Sequence, residues 1–190
     1  MEINGLKNFK ISVYSDTSDC KEKVIIPTQV HGNNIVEIIS GEEDLSQCDG
    51  LITFKKGMKL GIRTADCAAV CIGDGNKIGI IHIGWRGLIQ GVYEKAERLF
   101  SKGHLEVFVG PFLHRFEIKR DFCFDQISAR FGNEFFIYEN GKIVFDFKSA
   151  LSSMLPANAV FDERDTELDL SLPSNRRNGT EKRILTVVSF

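Results

Sequence analysis

The sequence predicts one α/β or α+β domain spanning residues 1–190. Three observations carry that expectation. The chain is 43% hydrophobic with a formal net charge of −2, which suits a single sizeable core. Apolar runs of strand length recur between Gly, Pro, Asn and Asp punctuation. Helical spacing takes over in places, notably after Leu88, so helices are interspersed among the strands. No linker, repeat or low-complexity segment divides the chain.

The elements follow in order. Phe9, Ile11 and Val13 alternate with polar residues as in an edge strand, and Thr17-Ser18-Asp19 reads as a turn. Val24-Ile25-Ile26 predicts a short strand ended by Pro27. Asn33-Asn34 turns the chain into a strand over Ile35 to Ile39, and Gly41 to Gln47 is a polar loop. Asp49-Gly50 is a turn signal before a strand over Leu51 to Phe54, with a second turn over Lys55 to Met58. Leu60 to Ile72 is apolar but interrupted at Thr64-Ala65-Asp66-Cys67. Gly73-Asp74-Gly75-Asn76 then predicts a hairpin, which sets the strand carrying Cys67 beside the strand carrying His82.

From Leu88 the spacing is helical. Leu88, Val92, Ala96, Leu99 and Phe100 share one face, Glu94, Lys95, Glu97 and Arg98 the other, and Gly103 closes the helix. Val107 to Val109 predicts a strand ending at Gly110-Pro111, and the stretch from Phe122 to Phe131 a helix before Gly132. Ile143 to Phe147 predicts a strand, Lys148 to Leu155 a helix stopped by Pro156, and Ile184 to Val188 a terminal strand. Asp162 to Asp169 reads as an acidic, solvated loop, and Ser174 to Arg183 as a polar, basic segment.

With 24 basic against 26 acidic residues, there is no electrostatic case for nucleic acid or an anionic membrane. No apolar run approaches the ~20 residues of a membrane span, and MEINGLKNFK lacks the apolar stretch of a signal peptide. A cytoplasmic location is expected. Five irregularly spaced cysteines argue against a disulfide framework. The oligomeric state is not legible.

Chemistry concentrates in KIGIIHIGWRGLIQG, Lys77 to Gly91. Its strand ends at His82, and the only tryptophan and Arg86 follow at a helix start, where free N–H groups favour an anion. His31, Cys67 and His82 together are the ligand types of a three-coordinate zinc site with an open fourth position. Their spacing matches no short metal motif, and each alone is more often a packed core or surface residue. His104 and His114 lie in loop-like stretches without a nearby cysteine and read as solvated.

Five motifs stand in order: Thr28-Gln29-Val30-His31-Gly32, Cys48-Asp49-Gly50-Leu51-Ile52-Thr53, Thr64-Ala65-Asp66-Cys67, His82-Ile83-Gly84-Trp85-Arg86-Gly87-Leu88 and Val109-Gly110-Pro111. The set closely resembles the laccase-domain family, also called the multicopper polyphenol oxidase or purine nucleoside phosphorylase family. Its familiar patterns are QVHG, DG-[LI]-[IV]-T, TADC and HAGWRG, with Ile83 here in place of the usual alanine. The resemblance implies an α/β fold with mixed β-sheets packed between helical layers. It implies zinc held by His31, Cys67 and His82, and phosphorolysis of adenosine, inosine or guanosine to base and ribose 1-phosphate. Methylthioadenosine cleavage and adenosine deamination are associated activities.

On that basis the expected partners are a small nucleoside and phosphate. Asp66 is the candidate general acid for the leaving purine, Arg86 the anion contact, and Arg176 with Arg177 the substrate-binding rim. The rim departs from the family. Lys10 to Asp19 lacks the arginine and glycines of an FTR-GG-S loop. Phe112-Leu113-His114-Arg115-Phe116-Glu117 replaces a cysteine-containing segment. Asp165-Thr166 stands for Cys-Thr, and Ser174-Asn175-Arg176-Arg177-Asn178-Gly179 for SYRR-DG. Two rival readings follow. One is phenol oxidation with copper as the metal, although four histidines are few for a multicopper centre. The other is a metal-bearing regulatory protein without turnover.

Overall fold

A computed structural model of the chain describes residues 6–101, 103 and 105–190. The strands are β1 (Lys10–Tyr14), β2 (Ile35–Glu37), β3 (Gly50–Thr53), β4 (Lys59–Thr64), β5 (Ala68–Gly73), β6 (Ile78–Ile83), β7 (Glu106–Val109), β8 (Arg115–Ile118), β9 (Phe136–Glu139), β10 (Lys142–Asp146), β11 (Val160–Phe161) and β12 (Ile184–Ser189). The helices are α1 (Trp85–Ile89), α2 (Val92–Glu97), α3 (Phe122–Phe131), α4 (Phe147–Ser152) and α5 (Asn175–Asn178). A six-stranded mixed sheet, ordered β11-β7-β5-β6-β3-β2, is flanked by three-stranded sheets β1-β12-β4 and β8-β10-β9.

The hairpin of β5 and β6 is the middle of the large sheet, and both strands are buried along their whole length. Alternation divides them between two cores. Val70, Ile72, Ile81 and Ile83 pack with Leu88, Val92, Tyr93 and Ala96 of the helical layer. Cys71, Ile78 and Ile80 pack instead with Leu60, Ile62 and Val188 of the sheet β1-β12-β4. Burial on both faces is why these strands read as continuous apolar runs. The α/β class and the mixed sheets hold, with helices covering one face of the large sheet and a second sheet the other.

The pairing of β5 with β6 sets Ala69 opposite His82 and Ala68 opposite Ile83, so Cys67 enters the hairpin beside the His82 strand, as expected. Among the described residues the edge strand β1 pairs only with β12. Several readings need correction. The helix expected from Leu88 is two pieces, because Gly91 takes φ 70 between α1 and α2. The second piece stops at Glu97, and Leu99 is 45% exposed rather than core. Val24 to Ile26 contributes only the bridge Ile25↔Leu60. Strands β8 and β9 form where the sequence predicts no strand. The acidic loop is not simply solvated, since Asp162 and Thr166 are buried. His114 is half-buried beside Asp165 at 3.5 Å rather than solvated. The loop assigned to His104 lies outside the described residues.

Candidate metal centre and its cleft

A turn, a strand-to-strand link and a strand end deliver three donors to one point. His31 follows a turn, Cys67 the link between β4 and β5, and His82 the end of β6. Their ligand atoms all lie within 4.8 Å of one another, and among the described residues they form the one such group of His, Cys, Asp or Glu. The His31 and His82 rings meet edge-on, with centroids 4.8 Å apart and planes at 77°. Exposure falls from His31 through Cys67 to buried His82, so the site opens on the His31 side.

Each donor is held by its own local device. Gln29 pairs reciprocally with the backbone of Arg63: its Nε2 donates to the carbonyl at 2.8 Å and its Oε1 accepts from the N–H at 3.0 Å, which pins the His31 turn to β4. His31 itself takes φ 61, and Asp66, immediately before Cys67, takes φ 93. These are left-handed conformations that side chains other than glycine seldom adopt, and such strain gathers at functional sites. The Asp66 carbonyl accepts from the Leu113 N–H at 2.9 Å. The carboxylate of buried Asp49 accepts from the N–H groups of Val30 (3.3 Å), His31 (2.9 Å) and Gly32 (2.7 Å) and from His82 Nδ1 (2.8 Å). Asp49 reads as a turn residue in sequence, and its partners lie too far along the chain for any motif to reveal them.

The electrostatics are those of a coupled set. Burial disfavours the Cys67 thiolate, but hydrogen bonds and charge from His31 and His82 outweigh it and bring the thiol down to about 7. Burial likewise disfavours charge on His82, yet Asp49 and Cys67 together push it up to about 9. Asp49 is held below the usual carboxylate range: burial opposes this, and the His82 and Gly32 hydrogen bonds prevail.

The donor set fits a divalent ion: two imidazoles and an easily ionised thiol are a zinc-type ligand set. The space around them is also reserved. A Cβ on Gly84 would come within 2.9 Å of Cys67 Sγ and 3.5 Å of His31 Cδ2, so glycine at position 84, just before Trp85, leaves the sulfur room to sit here.

Above the donors opens a cleft of about 680 Å³. The Arg86 guanidinium lies 4.8 Å from the Trp85 ring centre, and that of Arg176 4.8 Å from the Phe116 ring centre. Leu113 and Phe147 add apolar wall, and Arg63 and Arg183 further positive charge. Asp66 lines the cleft, but both its oxygens are engaged: Oδ1 accepts from Thr166 Oγ1 at 2.8 Å and Oδ2 from the Arg176 N–H at 2.7 Å. Arg176 and Arg177, adjacent in sequence, part company in space. Arg176 faces the cleft. Arg177 does not line it; its guanidinium donates to the carbonyls of Thr166, Glu167, Asp169 and Leu172, tying down the loop before α5. The position of Arg177 does not match the substrate-rim role expected of it, because the first turn of α5 points consecutive side chains to different sides.

Comparison with known proteins agrees with this arrangement. Residues 7–183 match the family model described as multi-copper polyphenol oxidoreductase laccase. A purine nucleoside phosphorylase of Aquifex aeolicus is 30% identical over 177 residues, covering 88% of this chain and 83% of the relative. One of Rickettsia conorii is 30% identical over 172 residues, covering 83% and 72% respectively. Among solved structures, a Neisseria meningitidis protein superposes with a TM-score of 0.77 at 22% identity, over 88% of this chain and 74% of that one. The Bacillus licheniformis protein YfiH gives 0.75 at 19% identity, over 87% and 73%. The chain belongs to the laccase-domain family.

Proposed function

We propose that this member of the laccase-domain family is a zinc-dependent purine nucleoside phosphorylase, cleaving adenosine, inosine or guanosine with phosphate to base and ribose 1-phosphate. The observation that carries the reading is the His31, Cys67 and His82 donor cluster at the floor of a cleft whose flanks are two arginine-capped aromatic rings. The names borne by the Aquifex and Rickettsia relatives support the reaction class.

His31, Cys67 and His82 would hold the ion. When bound, zinc supplies a Lewis acid that polarises an oxygen and stabilises developing negative charge. The chain's own residues bind and orient. Trp85 and Phe116 offer flat apolar surface to a purine. Arg86 and Arg176 offer bidentate donors to phosphate, and Arg63 and Arg183 raise the positive potential of the cleft. Phosphate oxygen forms a bond to the anomeric carbon as the glycosidic C–N bond breaks, and the electron pair leaves with the purine, which takes up a proton. Asp66 is assigned to relay that proton: it takes it up from the dihydrogen form of the attacking phosphate and passes it to the purine, exchanging a resting contact with Thr166 or Arg176 for the substrate. The associated methylthioadenosine and deaminase activities use the same cleft.

The copper reading fits the donors less well. A chain with four histidines and, among its described residues, one three-donor group can seat one ion, whereas laccase-type O₂ reduction draws on several. The test is Cys67→Ala, assayed for zinc content and phosphate-dependent adenine release. Loss of both is expected, and full retention of both would sink the proposal.

A further inference from the structure

We infer that Asp49 is a positioning residue of the metal centre, which fixes both histidines at once: it holds His82 in the tautomer that leaves Nε2 free and clamps the turn that presents His31. The inference rests on the metal reading above and concerns a residue outside the three donors.

Asp49 is 0% exposed. A buried carboxylate is costly unless its oxygens are fully hydrogen-bonded. No lysine or arginine among the described residues pairs with it; its one charged-type partner is His82. The compensation comes from three successive backbone N–H groups, those of Val30, His31 and Gly32, at 3.3, 2.9 and 2.7 Å. Successive N–H groups converging on one anion form a nest. Here the anion is the chain's own side chain, 17 to 19 residues along the sequence. The nest bends His31 to φ 61, and so sets where its imidazole points. Gly32 is part of the device, since a Cβ there would lie 3.3 Å from Asp49 Oδ2.

The fourth contact separates this from a simple loop cap. An ionised carboxylate only accepts, so His82 Nδ1, at 2.8 Å from Oδ1, must be the donor. Nε2 is then the nitrogen left to face Cys67 and His31. The Asp49 carbonyl also accepts from the His82 N–H at 2.7 Å, so one residue grips both the ring and the backbone of this histidine. Carboxylate-to-imidazole contacts of this kind orient metal ligands, and losing one costs 10–100-fold in affinity.

Asp49→Asn keeps the shape but sets an NH₂ against a donor, either the Gly32 N–H or the His31 N–H together with His82 Nδ1. The experiment measures zinc affinity by chelator competition at fixed pH for wild type, Asp49→Asn and the control Asp162→Asn, which alters another buried carboxylate, paired with Arg164. Circular dichroism checks folding. A 10–100-fold loss in Asp49→Asn, with Asp162→Asn within about twofold of wild type, is expected. A second measurement needs no variant: ¹⁵N NMR of the zinc-loaded wild type should show the proton of His82 on Nδ1, and decides the matter if Asp49→Asn fails to fold. Equal affinity of Asp49→Asn and wild type, or a bare Nδ1, overturns this inference alone. A wild type that takes up no zinc overturns the metal reading and this inference with it.

Discussion

The floor and the rim of the cleft are built in different ways. The floor is rigid. Its donors sit at the ends of two central strands and on a clamped turn, and its decisive contacts are to buried Asp49 and to the backbone. The rim is looser: Arg86 and Arg176 are exposed and lie over aromatic rings, and Arg176 is anchored by its own N–H to Asp66 and by one 3.2 Å contact to the Glu117 carbonyl. A floor of this kind suits an invariant task such as holding an ion. A rim of this kind is open to change in substrate preference, and it is where the sequence departs most from the family patterns. The contrast teaches that metal binding and substrate binding should be separable by mutation.

The largest effect that would break the contrast is at the floor. Cys67→Ala should lower phosphate-dependent turnover by more than about 100-fold, since even outer contacts to a metal ligand cost 10–100-fold; steady-state kinetics with metal analysis checks this. The pH dependence of zinc uptake comes next. His82, raised to about 9, must lose a proton to bind below that pH, and Cys67, lowered to about 7, adds a second below it. Zinc affinity should therefore fall about tenfold per pH unit from 9 to 7 and about 100-fold per unit below 7. In the metal-free protein the two groups oppose one another. The raised His82 contributes stability present below 6.5 and lost as pH rises through 9. The lowered Cys67 contributes stability present above 9 and lost as pH falls through 7. Chemical unfolding should consequently show little slope between pH 7 and 9, where one contribution grows as the other fades.

The difference between the two adjacent arginines sharpens the contrast. Arg177→Ala strands several carbonyls and should cost about 2 kcal/mol in denaturant unfolding with zinc affinity unchanged. Arg176→Ala should leave stability and zinc content alone and raise the KM for phosphate or nucleoside about tenfold, the scale of one exposed charge-assisted contact. Gly84→Ala is the smallest of the floor changes. Its methyl crowds Cys67 Sγ, and zinc affinity should drop about tenfold or less with the fold retained.

The sequence exposes the floor better than the rim, for a physical reason. His31, Cys67 and His82 sit in short local motifs, and the Gly73 to Asn76 turn places two of them side by side. Asp49 escapes because Asp-Gly is a turn signal, while its role depends on partners 17 to 33 residues away. Gln29 escapes likewise, its two contacts being to the backbone of Arg63. At the rim, nothing in Asn175-Arg176-Arg177-Asn178 tells which guanidinium enters the cleft until the α5 turn is known. Leu99 follows helical spacing, but the break at Gly91 resets the phase. Arg115-Phe116-Glu117-Ile118 does alternate and pairs with β10; four residues are a short strand signal, and the unusual motif that contains them masks it.

The most direct test of the central claim is a chromatographic assay of adenosine, inosine, guanosine and methylthioadenosine on metal-analysed wild-type protein, with and without phosphate. The account predicts release of free base that requires both phosphate and bound zinc. Zinc-loaded protein that releases no base from any of the four with phosphate present would contradict it.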